Sequence, residues 1–159
     1  MKLIFLDIDG VLNTERFCKI QVKQKLADFY TARFNFDPIC MKNLKKLVDI
    51  TNAYIIISSS WRINEDSEDY MHLIANMKLY KIYDRVISST PIINGGTRAD
   101  EILSWLQGTE GISSYVIIDD EASAVNDSNS GRLALCSEYN GFTSDIMEKA
   151  VNILNMEER

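Results

Sequence analysis

The chain has one histidine, two prolines and three cysteines in 159 residues. With His72 alone, and that among residues of helical pattern, the usual Ser-His and Cys-His couples are not on offer, so attention passes to the carboxylates. Cys18, Cys40 and Cys136 are far apart, odd in number and without a C-x-x-C pair. That excludes an obvious disulfide framework and argues against a zinc site. No apolar run approaches the roughly 18 residues of a membrane span, and "MKLIFLD" reaches its acid too soon for a signal peptide. A cytoplasmic location away from membranes is expected. Positive charge is also short: the net charge of -6 disfavours a general nucleic-acid binder. Scarce proline, with 46% apolar and 25% charged residues, argues against disorder or a fibrous repeat.

Size and pattern predict one domain over residues 1–159. The runs "KLIFL", "AYIII", "RVIS", "YVII" and "RLALC" read as strands, with apolar-periodic segments between several of them. Their continuous apolar character suits strands covered on both faces, as in a parallel sheet between helical layers. Asp37-Pro38 opens one predicted helix, with Met41, Leu44, Leu47 and Val48 on a face. Tyr70, Leu73, Ile74 and Met77 mark a second. Thr97, with Asp100 at the third helical position, starts a third, and Thr143 is the cap candidate of a fourth. Residues 14–36 fit the alternation poorly and suggest a small lid, and "EASAVNDSNSGR" reads as a surface loop. The charge is uneven: Arg16, Lys19, Lys23, Lys25, Arg33, Lys42, Lys45 and Lys46 oppose only Glu15, Asp28 and Asp37. Such a stretch is either a solvated helix face or a collar that attracts a phosphorylated substrate.

Three predicted strands end in polar clusters. In "IFLDIDGVLN", Asp7 and Asp9 emerge at the end of the first strand, on one face and about 7 Å apart, with Ile8 turned into packing. Two like charges so placed call for a cation or a proton. Gly10 then permits a sharp turn. "YIIISSSWR" ends in three hydroxyls and an arginine, and "YVIIDDE" in three acids. Together these make an oxygen-rich site suited to Mg2+ and phosphate, at the sheet edge where open α/β folds bind ligands.

"DIDGVLN", "SSSWR" and "IIDDE", in that order, resemble motifs I, II and IV of the haloacid dehalogenase (HAD) superfamily. With "TRADEILSWL", the chain is most similar to the HAD phosphatase domain of bacterial RNA-repair (Swiss Army Knife) proteins and their stand-alone relatives. The resemblance implies a HAD-like Rossmannoid three-layer α/β/α sandwich with a mainly parallel five-stranded sheet and a minimal cap. It also implies a Mg2+-dependent phosphomonoester hydrolase. Asp7 would be the nucleophile forming an aspartyl-phosphate and a metal ligand. Asp9 would be the general acid and base, binding the metal through its backbone carbonyl. Ser59 is the first choice for the phosphate-binding hydroxyl, with Ser58 the alternative should the strand end shift by one residue; Ser60 reads as a cap or turn residue. Trp61 reads as packing, and Arg62 as a surface ion pair or a substrate contact.

Asp120 aligns with the metal-ligating acid and Asp119 with a residue that orients the third motif or a metal-bound water, while the assignment among Asp119, Asp120 and Glu121 stays open. The common acid four residues later is Ala124 here. Arg98 fits the place of the third-motif lysine, with Lys78 and Lys81 as weaker candidates. The expected partner is a phosphorylated substrate, either a nucleic-acid end, a nucleotide or a small metabolite; no obligate protein partner is evident. A phosphoacceptor signalling domain uses similar groups, but places its adjacent acid pair after the first strand.

Overall fold

The computed structural model describes residues 1–156. Five strands, β1 (Lys2–Leu6), β2 (Tyr54–Ile57), β3 (Val86–Ser89), β4 (Ser114–Asp119) and β5 (Leu133–Leu135), form one sheet in the order β3-β2-β1-β4-β5. Every pairing is parallel. Among the described residues six α-helices accompany them: α1 (Glu15–Lys23), α2 (Phe29–Ala32), α3 (Pro38–Thr51), α4 (Glu68–Leu79), α5 (Arg98–Gln107) and α6 (Ser144–Asn155).

Alternation along the strands divides the core. Leu6, Ile57 and Ile118 pack with Leu44, Leu73, Met77 and Met147, from α3, α4 and α6. Phe5, Ile56 and Ile117 pack on the opposite side with Ile102, Trp105 and Leu106 of α5. Burial on both faces explains why β1, β2 and β4 read as continuous apolar runs, whereas the edge strand β3 is largely exposed. The chain steps outward from β1 to β2 to β3, then returns to the other side of β1 with β4. The break between β1 and β4 is the switch point at which doubly wound sheets bind ligands.

The helix starts follow the expected chemistry. Asp37 caps α3 by accepting from the Ile39 N–H at 3.0 Å, with Pro38 at the first position. Thr97 and Asp100 complete a capping box on α5. Thr143 occupies the cap position of α6, but its hydroxyl makes no capping bond. The segment 14–36 is helical in two pieces, α1 and α2. Asp37 ties it to α3: Thr14 donates to its carboxylate at 2.8 Å, and Arg16 pairs with the same oxygen. Within "EASAVNDSNSGR", Ala124 and Asn129 are buried, so the loop is anchored at both of these points.

Candidate active site

The turn after β1 is wound around one carbonyl: Val11, Leu12 and Asn13 all direct their N–H groups to the oxygen of Ile8 at 2.9–3.3 Å. Gly10 has φ +68°, and a Cβ there would lie 2.7 Å from the Asp120 carboxylate carbon. Glycine therefore serves both the left-handed backbone and the close approach of Asp120.

Asp7, Asp119 and Asp120 converge at this switch point, each offering an oxygen within 4.8 Å of the others. Arg98, the first residue of α5, joins two of them, with Nη1 2.7 Å from Asp7 Oδ1 and 2.9 Å from Asp119 Oδ2. The second oxygen of Asp119 accepts from the Glu121 N–H at 2.9 Å. Burial and the Asp7 charge push Asp119 up to about 7, against the pull of Arg98. Burial and Asp7 also raise Asp120. At Arg98 the cost of burial is outweighed by Asp7 and Asp119, which hold the guanidinium above its ordinary range. Three carboxylates against one guanidinium leave an excess of negative charge with oxygen donors alone, and this fits a hard divalent cation such as Mg2+.

Asp9 stands outside that trio. Its Oδ1 accepts from Asn13 Nδ2 at 2.6 Å and its Oδ2 from Trp61 Nε1 at 2.9 Å. Trp61 is packed, as its sequence context suggested, against Phe34 and Phe36, but its indole N–H reaches the site. The available signal was general: buried tryptophans usually find a partner for that N–H. Asn13 carried no such signal. The same amide contacts the Arg33 carbonyl at 3.3 Å, and the Arg33 guanidinium lies over the Trp61 ring, so the 14–36 segment adjoins Asp9.

Ser58 and Ser59 are both fully buried. Ser59 accepts from the Trp61 N–H at 3.4 Å and caps the short helical turn Ser60–Arg62, whereas Ser58 Oγ has no partner among the described residues. Capping thus falls to Ser59, and Ser60 is exposed as the first residue of the turn.

Arg62 is neither a surface pair nor free for substrate. Its guanidinium is buried and donates to the carbonyls of Ser58, Ser59, Thr90 and Pro91 and to Glu101, at 2.6–3.1 Å. Five donors on a planar fork can satisfy several carbonyls where a strand ends. Ala124 is buried in its own turn, and of the acids at the end of β4, Asp119 and Asp120 join the Asp7 cluster while Glu121 does not. Lys78 lies over Tyr83, near the start of β3 and thus at the other end of the sheet; Lys81 follows α4 there. His72 stacks on Phe34 with ring centroids 4.3 Å apart. Between Arg98 and the Ser60 turn opens a cleft of about 390 Å³, lined also by Ile63, Thr97, Glu121 and Ser123.

A doubly wound parallel sheet with aspartates from two strands at its switch point, and an arginine from the opposing helix, defines an α/β domain of the HAD-like class. Residues 3–146 match the family described as the HAD domain in Swiss Army Knife RNA repair proteins, and the chain belongs to that family. The family is one of phosphatase-type hydrolases. No curated protein and no solved structure gives a match. Among the described residues no helix is long and apolar enough to cross a membrane.

Proposed function

We propose that this protein is a Mg2+-dependent phosphomonoester hydrolase that uses Asp7 as its nucleophile. The observation that carries the reading is the placement of Arg98 on both Asp7 and Asp119, with Asp120 in the same cluster. An aspartate oxygen attacks phosphorus, the bond to the leaving oxygen breaks, and Asp9 delivers a proton to that oxygen. Water then attacks the aspartyl-phosphate, Asp9 takes its proton, and the bond between phosphorus and the Asp7 oxygen breaks to release inorganic phosphate. Arg98 stabilises the charge on the phosphoryl oxygens through donors fixed beforehand. Mg2+ held by Asp7 and Asp120, with Asp119 beside them and the Asp9 carbonyl as a further ligand, would neutralise repulsion between phosphate and nucleophile.

For the hydroxyl that meets the phosphoryl group, Ser58 supports the reading better than Ser59, because it follows Ile57, the rung partner of Leu6, and so stands beside Asp7 with its Oγ buried and unpartnered among the described residues. Nucleic-acid end phosphates or nucleotides are the leading substrates because of the family, with small phosphorylated metabolites as the alternative. The electrostatic part of that reading weakens, since Arg16, Lys19, Arg33 and Lys45 of the basic stretch are ion-paired. The segment 14–36, beside Asp9, would act as the small lid.

The test is hydrolysis of an aryl phosphate with Mg2+ or with EDTA, comparing wild type and Asp7→Asn. Turnover that needs both Mg2+ and Asp7 supports the reading. A stable aspartyl-phosphate without turnover points to a signalling domain instead. A panel of nucleotides, sugar phosphates and 3'- or 5'-phosphorylated oligonucleotides then assigns the leaving group. Preference for oligonucleotide ends that weakens with salt marks a nucleic-acid substrate.

A further inference from the structure

The cleft between Arg98 and the Ser60 turn takes part in none of the steps above. It encloses about 390 Å³, within the range of small-molecule sites. Its lining is tied to the acidic cluster at several points. Arg98 holds Asp7 at 2.7 Å, and Glu121 donates its backbone N–H to Asp119 at 2.9 Å. The turn that contributes Ser60 continues into Trp61, whose indole N–H holds Asp9. The cleft thus borders the residues assigned to attack and to proton transfer, where the alcohol released from a phosphoryl group has to lie.

Among the described residues, the charges that line the cleft are committed, with one exception. Arg98 is paired with Asp7 and Asp119, and Arg62 with Glu101 and four carbonyls. Glu101 also accepts from the Ile93 N–H at 3.2 Å. Glu121 is exposed, pairs with no cation among the described residues, and accepts from the Ser123 hydroxyl at 3.2 Å through Oε2. The uncommitted charge of the cleft is therefore negative. Ile63 and Ile92, both exposed, add apolar wall. A carboxylate accepts from the O–H groups of an alcohol and repels a second anion. Dinucleotide folds use an acid in this way for a ribose hydroxyl, and an arginine where that position bears a phosphate.

We propose that this cleft seats the leaving group and selects an uncharged, hydroxyl-bearing one, with a hydroxyl donated to Glu121 and its less polar face laid on Ile63 and Ile92. This rests on the phosphohydrolase reading and deepens it. Nucleosides and sugars share that chemistry. An alcohol that keeps a further phosphate does not, because the phosphate meets Glu121 with no free cation in the cleft to answer it. The preferred substrate is a monophosphate whose only phosphate is the one removed. Of the substrates that the family suggests, the cleft favours the nucleotide over the strand end, which carries backbone phosphates.

The experiment measures kcat/KM with Mg2+ for a nucleoside 5'-monophosphate, a sugar monophosphate and the nucleoside 3',5'-bisphosphate. Each value is divided by that for an aryl phosphate, so that effects on the catalytic centre cancel. Whichever phosphate the bisphosphate loses, the alcohol released keeps a charge. Wild type should favour the nucleoside monophosphate over the bisphosphate roughly tenfold or more, and Glu121→Lys should remove most of that preference. Glu121→Gln replaces it, with a smaller shift in the same direction, if the lysine variant does not fold. Ile92→Ala separates the two sources. A loss confined to the nucleoside monophosphate places the base on the isoleucines, and an equal loss on both monophosphates places the sugar there. Equal turnover of monophosphate and bisphosphate, or a ratio that neither Glu121 variant moves, overturns the inference while the phosphohydrolase reading stands. No Mg2+-dependent turnover of any compound, the aryl phosphate included, overturns both.

Discussion

Trp61 donates its indole N–H to Asp9 at 2.9 Å, linking the second strand end to the first across a packed aromatic cluster. The bond fixes one Asp9 oxygen while Asn13 fixes the other. Trp61→Phe keeps most of the packing and removes the donor. The expected result is a fall in kcat of about tenfold, the scale of one hydrogen bond to a charged group. Steady-state kinetics checks it, with thermal unfolding to show that the fold is kept. Unchanged kcat would mean that Asp9 needs no such anchor.

The acidic trio predicts a pH signature. Asp119 is pushed up to about 7 by burial and the Asp7 charge, and Asp120 is raised by the same causes. Raised folded-state values mean that the metal-free folded protein binds more protons than the unfolded chain. The contribution of these two groups to stability should therefore be fully present below the unfolded carboxylate value and be lost as pH rises through about 7. Bound Mg2+ must replace those protons, so it should raise the melting temperature more near pH 8 than near pH 5.5. Unfolding scans with Mg2+ and with EDTA measure this, and an equal increment at both pH values would contradict the metal assignment.

Gly10→Ala should damage the metal site more than the fold. The backbone at φ +68° costs a residue with a Cβ about 1–2 kcal/mol. The new methyl also falls where the Asp120 carboxylate lies. Weaker Mg2+ binding is expected, seen as a rise in the Mg2+ concentration for half-maximal activity or for half-maximal thermal stabilisation.

Arg62→Met leaves Glu101 without its cation and four carbonyls without this donor. Breaking a buried pair at one end costs about 3–5 kcal/mol. Urea denaturation of the variant should show a loss of that size, whereas a loss below about 1 kcal/mol would mean that water replaces the guanidinium readily.

Much of the architecture was legible because burial on both sheet faces writes itself as apolar runs, and helix starts write themselves as Asp37-Pro38 or Thr97 with Asp100. The parallel character was legible in the same runs, but the order β3-β2-β1-β4-β5 was not, because strand neighbours depend on contacts distant in sequence. The same division runs through the site. Asp7, Asp9, Asp119 and Asp120 stand out as acids ending buried strands, a placement with few purely structural uses. Residues whose task is to hold others carry no such mark. Arg62 looks like any polar residue in a turn until the carbonyls around it are known, and Trp61 like any core aromatic until its N–H is traced.

By itself, then, the sequence determined the element types, the family and which carboxylates gather at the strand ends, since these follow from local periodicity and from chemistry placed next to it. Only the tertiary structure decided that Asp9 is held apart from the Asp7 cluster by Trp61 and Asn13, and that Ser59 caps the following turn while the Ser58 hydroxyl has no partner among the described residues. Those outcomes turn on a one-residue phase at the end of a strand and on hydrogen bonds between elements about fifty residues apart. Neither leaves a local trace, because a side chain's direction at a strand end is set by the partner strands and not by its neighbours in the chain.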